Sequence, residues 1–131
     1  MKWTSKGKKK KYGLKRFFKG FVYAGNGIIT AIKTEQNLLF DLICGIIAII
    51  LGFILHLTTL EFTIVLLAIS LVISMELINT AIEYVVDMAM PEIHPLAKAS
   101  KDVASGAVLV SAIISLIIGI IIYIPKIIEL L

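Results

Sequence analysis

The stretch FTIVLLAISLVISM, residues 62–75, runs without a charge into ELINTAIEYVVD, residues 76–87, and the junction between them decides the fold. The first part holds only apolar residues and hydroxyls, as a bilayer-crossing helix does. At about 1.5 Å per residue it supplies only about 21 Å, against about 30 Å of hydrocarbon, so the helix must continue through Glu76. In the second part Glu76, Asn79, Glu83 and Asp87 recur at helical spacing. At about 100° per residue they share an arc of about 80°, a polar stripe running toward one end of the helix. A carboxylate in hydrocarbon is costly unless paired, protonated or hydrated, so this stripe must face the bundle interior or a wet cleft.

Outward from this helix, which the pattern bounds at about residues 60–87, lie two more apolar runs. One covers about residues 38–57 and carries Asp41 as its only charge; the other covers about 103–124 and stops before Pro125. Of the 131 residues 59% are hydrophobic, and the mean hydropathy is +0.99, which excludes an ordinary soluble domain. The expected fold is all-α and integral to the membrane, with three transmembrane helices in a single domain over residues 13–131.

Charge sets the orientation. Ten of the 13 Lys and Arg precede residue 34, Lys98 and Lys101 lie between the second and third spans, and the 56–61 turn has neither residue type. The N-terminus and a connection over residues 88–102, with Pro91 and Pro95, are therefore expected in the cytoplasm, and the C-terminus outside a multi-pass cell-membrane protein. Residues 1–12 combine Lys with Gly, Ser and a lone Trp3, and read as a basic mobile arm. Its KKKK run at 8–11 suits anionic lipid, not nucleic acid. No compact apolar stretch with a small-residue cleavage site follows, so the arm is expected to stay in the mature protein.

Between residues 13 and 34, Phe17, Phe18, Phe21, Val22, Ile28, Ile29 and Ile32 share one helical face, with Lys15, Arg16, Lys19 and Lys33 off it. This predicts an amphipathic helix lying on the cytoplasmic leaflet. Gly20, Gly25 and Gly27 interrupt it, and would allow a neighbour or ligand to approach closely. Cys44, the single cysteine, reads as a packing residue.

The acidic stripe is where chemistry is expected. Glu83 and Asp87 add negative charge to Glu76, and Asp102 follows across the connection. A Mg²⁺–phosphate ligand would relieve that repulsion, because Mg²⁺ takes one or two carboxylates together with substrate phosphate oxygens. Phosphoryl transfer also needs cationic donors, for which Lys101 and Arg16 are available, and a base, for which Glu76 is placed to meet a lipid alcohol. Two readings compete. In one, Asn79 and Thr80 satisfy Glu76 in a structural network; in the other, the stripe is a proton or cation path in a small transporter or assembly subunit. GxxxxGK[ST] and the protein-kinase loop motifs are absent, GNG at 25–27 lacks the third glycine, and His56 and His94 have no metal-ligand spacing. His56 reads as an outer interface residue and His94, between two prolines, as a loop contact.

ELINTAIEYVVD at 76–87, with AIKTEQN at 31–37 before it and HPLAKASKD at 94–102 after it, resembles the prokaryotic diacylglycerol kinase family. NTAIE, HPLAK and the basic N-terminus look more like its Gram-positive undecaprenol kinase branch. The resemblance implies an ATP- and Mg²⁺-dependent kinase for a lipid alcohol, undecaprenol ahead of diacylglycerol. It implies Glu76 as catalytic base with Asn79 beside it, and Glu35 and Glu83 as holders of Mg²⁺. Arg16, Tyr23, Glu92, His94, Lys101 and Asp102 match positions that contact ATP, which raises the standing of His94, and Asp87 joins them as a cofactor-facing residue. It further implies homotrimers whose sites are shared between subunits.

Overall fold

The computed structural model describes residues 13–131, so the arm expected at 1–12 lies outside the described residues. Four helices follow one another: α1 over Leu14–Thr34, α2 over Gln36–Ile54, α3 over Thr59–Ala89 and α4 over Pro95–Leu130. The last three are long and apolar enough to cross a membrane. The chain is thus all-helical among the described residues, with three candidate spans preceded by a helix of different character. On α1, Phe17, Phe18 and Phe21 stay exposed, and Phe17 meets each of the other two in an edge-to-face contact.

The interior is thin. Among the described residues the buried apolar side chains are Ala31, Leu38, Val65, Ala68, Val72 and Ala104, whereas Phe53, Leu67, Leu109 and Ile121 face outward. Outward-facing Leu and Ile suit a lipid solvent, which leaves packing and polar contacts to hold the helices together. Gly52 brings α2 onto Phe62, and Gly45 brings it onto Ile69. Two hydroxyls reach across to backbone carbonyls: Ser115 Oγ donates to Ala68 O at 3.2 Å, and Tyr123 OH to Ala48 O at 2.5 Å. These bonds tie α4 to α3 and to α2.

The turn between α2 and α3 is defined by its caps. His56 takes φ of 55°, with Leu57 N–H bonded to Gly52 O at 3.1 Å and His56 N–H to Phe53 O at 3.3 Å. This left-handed helix stop usually carries Gly. Thr58 and Glu61 then form a reciprocal capping box at the start of α3. Glu61 also faces Lys126 Nζ at 3.7 Å, clasping the start of α3 to the end of α4.

Several expectations need correction. The connection expected over 88–102 shrinks to residues 90–94, because Pro95 starts α4 instead of ending a loop. Pro is suited to the first turn of a helix, where its missing N–H bonds nothing, and His94 caps that turn by accepting from Leu96 N–H at 3.1 Å. Nor does Pro125 stop the third span: α4 continues through it to Leu130. A helical Pro removes one bond near the chain end, and neighbouring polar groups or water can satisfy the carbonyl left over. The first span ends at Ile54, short of the 57 expected. Cys44 is exposed, not packed. The expectation for Gly20, Gly25 and Gly27 stands, since a side chain added at any of them would meet nothing among the described residues within 4 Å, leaving that surface open to a neighbour or ligand.

Candidate active site

The stripe on α3 turns inward, as its spacing requires. Glu76 is 5% exposed, Asn79 8% and Thr80 3%, while Glu83 is half-buried and Asp87 exposed. Polarity and exposure thus rise together from the middle of α3 to its end. Asn79 Nδ2 donates to Glu83 Oε1 at 3.2 Å, one turn on. Thr80 Oγ1 donates to the backbone carbonyl of Glu76 at 3.0 Å.

These bonds bear directly on the structural-network reading. Thr80 spends its proton on the backbone and Asn79 its amide on Glu83, so neither satisfies the Glu76 carboxyl. Asn79 Oδ1 is buried without a partner among the described residues. Leaving such an oxygen unsatisfied costs about 1–3 kcal/mol, so a fold that retains it has another use for it.

Other elements bring more carboxylates to Glu76. Asp41 on α2, Glu35 at the α1–α2 joint and Glu83 on α3 all stand near enough to act on its charge. Glu35 holds that position because it is at once the C-cap of α1 and the N-cap of α2, with φ −116° and ψ 106°. Beside the joint, Thr34 Oγ1 meets Tyr84 OH at 3.0 Å. Asp41, Thr34 and Tyr84 are the parts of this region that sequence reading missed. The signal for Asp41 was present, since a lone charge in an apolar run calls for a partner.

From Asp41 an apolar groove of about 540 Å³ runs between α2, α3 and α4. Val65, Val72 and Leu116 line its length, and Tyr123 stands among its walls. Asp41 is the only ionisable acid or base in this lining apart from the Cys44 thiol and the Tyr123 phenol, so an acidic mouth opens on an apolar channel.

The remaining expected residues divide. Lys101 of α4 makes an ion pair with Asp87 of α3, and that hydrogen bond raises the lysine above its ordinary pKa. Lys98 Nζ pairs with Asp102 Oδ2 at 2.6 Å. The two pairs frame the end of the α3–α4 hairpin, beyond the buried part of the stripe. Glu92 is exposed in the 90–94 link, and His94 is half-buried with Nδ1 committed to its capping bond. Tyr23 is half-buried on α1, and Arg16 is exposed at the far end of that helix from Glu35. One chain therefore gathers Glu35, Asp41, Glu76, Asn79 and Glu83, and leaves Arg16 apart.

As for a metal, no three His, Cys, Asp or Glu side chains among the described residues form a holding group by themselves. The donor set still fits Mg²⁺, which is bound by few protein carboxylates and by phosphate oxygens, and Asn79 Oδ1 adds a vacant oxygen acceptor of the right hardness.

Sequence relationships show the family. The family model described as Prokaryotic diacylglycerol kinase matches residues 22–123. The chain is 49% identical to the undecaprenol kinase of Bacillus subtilis over 113 residues, 86% of this chain and 92% of that protein. It is 37% identical to a diacylglycerol kinase of Synechocystis over 112 residues, covering 85% of this chain and 64% of that one. With a Helicobacter pylori diacylglycerol kinase it shares 38% identity over 101 residues, 77% of this chain and 79% of the other. The matched region contains Glu35, Asp41 and the whole α3 stripe, so the carboxylates gathered by α2 and α3 are those of a chain that belongs to the prokaryotic diacylglycerol kinase family.

Proposed function

We propose that this protein phosphorylates the terminal hydroxyl of undecaprenol, with ATP as donor and Mg²⁺ as cofactor, at the cytoplasmic face of the membrane. The observation that carries this reading is the buried Glu76 carboxyl, left unsatisfied by its own helix and met by Asp41 at the mouth of an apolar groove. An amphiphile with a long apolar tail and a single hydroxyl fits both parts. The tail lies along the groove, and the hydroxyl rests at Asp41 and Glu76. Choice of undecaprenol over diacylglycerol draws on the 49% identity with the Bacillus subtilis enzyme.

In the reaction the lipid oxygen attacks the γ-phosphorus of ATP, the bond to the β–γ bridging oxygen breaks, and ADP leaves with its electron pair. Glu76 accepts the hydroxyl proton and later returns it to water. Glu35 and Glu83 hold Mg²⁺, with Asn79 Oδ1 beside them. When bound, the cation neutralises charge on the phosphates, the main electrostatic demand of phosphoryl transfer. Arg16, Tyr23, Asp87, Glu92, His94, Lys101 and Asp102 serve the nucleotide. For Arg16 and Tyr23 this requires α1 to lie on the cytoplasmic leaflet, phenylalanines in lipid and cations toward the phosphates. Assembly into a homotrimer with sites shared between subunits rests on the family likeness alone, since outward-facing apolar side chains are equally suited to lipid.

Purified protein in mixed micelles with Mg·ATP tests the proposal. Undecaprenol should give lipid-dependent ADP release with a higher kcat/KM than diacylglycerol. The reverse ratio would transfer the assignment to diacylglycerol, and ADP release indifferent to either lipid would refute it. Membership in a kinase family sets aside the transporter reading.

A further inference from the structure

Thr34 and Tyr84 form one of the few polar contacts between α1 and the rest of the chain, at 3.0 Å. Thr34 Oγ1 donates to Thr30 O at 2.9 Å, with Ala31 O also in range at 3.4 Å, and either hydroxyl of the Thr34–Tyr84 contact can be its donor. Loss of either hydroxyl removes the contact.

What gives the pair meaning is its place in the chain. Thr34 immediately precedes Glu35, and Tyr84 immediately follows Glu83. Glu35 sits at an extended joint outside both flanking helices, whereas Glu83 rides on the continuous α3. Rotation at the joint would carry the Glu35 carboxylate away from Glu83 unless something adjacent fixed it. Ala31 packing holds α1 one turn earlier, and the hydroxyl pair acts at the joint itself.

We propose that Tyr84 and Thr34 are positioning residues that fix the separation of the Glu35 and Glu83 carboxylates for one divalent cation. This rests on the reading that those two glutamates share the metal. Neither hydroxyl needs to touch the cation or the lipid.

The test uses the full chain in detergent micelles and reads Mn²⁺ binding by electron paramagnetic resonance, beside the Mg²⁺ dependence of turnover. Tyr84→Phe and Thr34→Val should each weaken Mn²⁺ binding about fivefold, the scale of one ordinary hydrogen bond, and raise the Mg²⁺ needed for half-maximal rate in proportion. At saturating Mg²⁺, kcat should be restored. Thr34→Ser, which keeps the hydroxyl, should behave as the parent, and the Tyr84→Phe/Thr34→Val double variant should be no worse than either single one. Wild-type Mn²⁺ affinity in Tyr84→Phe would overturn the proposal, as would a lower melting temperature with unchanged metal dependence. Glu35→Gln and Glu83→Gln separate the two levels. If they weaken Mn²⁺ binding and Tyr84→Phe does not, the positioning role fails alone; if they too bind Mn²⁺ normally, the shared-metal reading fails.

Discussion

Replacing Glu76 by Gln isolates the proton-accepting role, because the amide keeps the shape of the side chain and removes only its basicity. Glu76 is 5% exposed, so bulk water has little room to stand in as base. A positioned general base contributes about 10²–10⁴-fold, or about 3–5 kcal/mol of barrier, and that is the loss expected in kcat. Stability should move the other way. Glu35, Asp41 and Glu83 all bear on Glu76 with like charge, and a neutral amide removes that repulsion while offering its N–H groups to the Asp41 carboxylate. The variant should melt no lower than the parent. Two measurements suffice: ADP release with undecaprenol at saturating Mg·ATP, and thermal unfolding in the same detergent. More than about a tenth of parental kcat would refute a base role for Glu76. Lost activity accompanied by a large fall in melting temperature would support the structural network instead.

Glu35→Ala and Glu83→Ala should each raise the Mg²⁺ requirement, and the double variant should lose less free energy than the two single losses combined, as expected of groups serving one ion. Additive losses in Mg²⁺ titrations would mean separate roles. Because one chain gathers Glu35 and Glu76, co-assembled Glu35→Ala and Glu76→Gln chains should stay as inactive as each alone; rescue would show that the two residues meet from different subunits. Gly52→Ala should destabilise by about 1–3 kcal/mol in thermal unfolding, since its Cβ would stand 2.9 Å from Phe62 Cζ and 3.1 Å from Leu57 Cδ1. His56→Gly should stabilise by about 0.5–1 kcal/mol by relieving the left-handed backbone, whose φ is 55°. An unchanged or lowered melting point would show that the His56 side chain compensates for the strain.

The apolar runs and the inward stripe were legible because they depend on composition and period alone. Glu76 and Asn79 had to turn inward in any membrane-spanning arrangement of α3. The ends of α4 were not legible, since Pro95 and Pro125 carry opposite meanings according to their place in a helix, and sequence fixes residue type before it fixes place. Asp41 was noticed as a charge but given no partner, because its approach to Glu76 depends on the packing of α2 on α3. Tyr84 was invisible for a like reason: it lies within the motif, and only the return of Thr34 to α3 distinguishes it from a lipid-facing aromatic. Pairing of Lys98 with Asp102, in place of a loop position for both, follows from the early start of α4, which puts them one helical turn apart.

Glu35 belongs to neither helix and caps both. It therefore lies at the joint between them, a pivot that the Thr34–Tyr84 contact anchors. Arg16 stands about 28 Å along α1 from that pivot at about 1.5 Å per residue, so a swing of about 10° would carry it through about 5 Å while hardly displacing Glu35. The two ends of α1 are in this way mechanically unequal. On the proposed placement of α1 along the cytoplasmic leaflet, its basic end would follow changes in lipid area or curvature that hardly reach its carboxylate end.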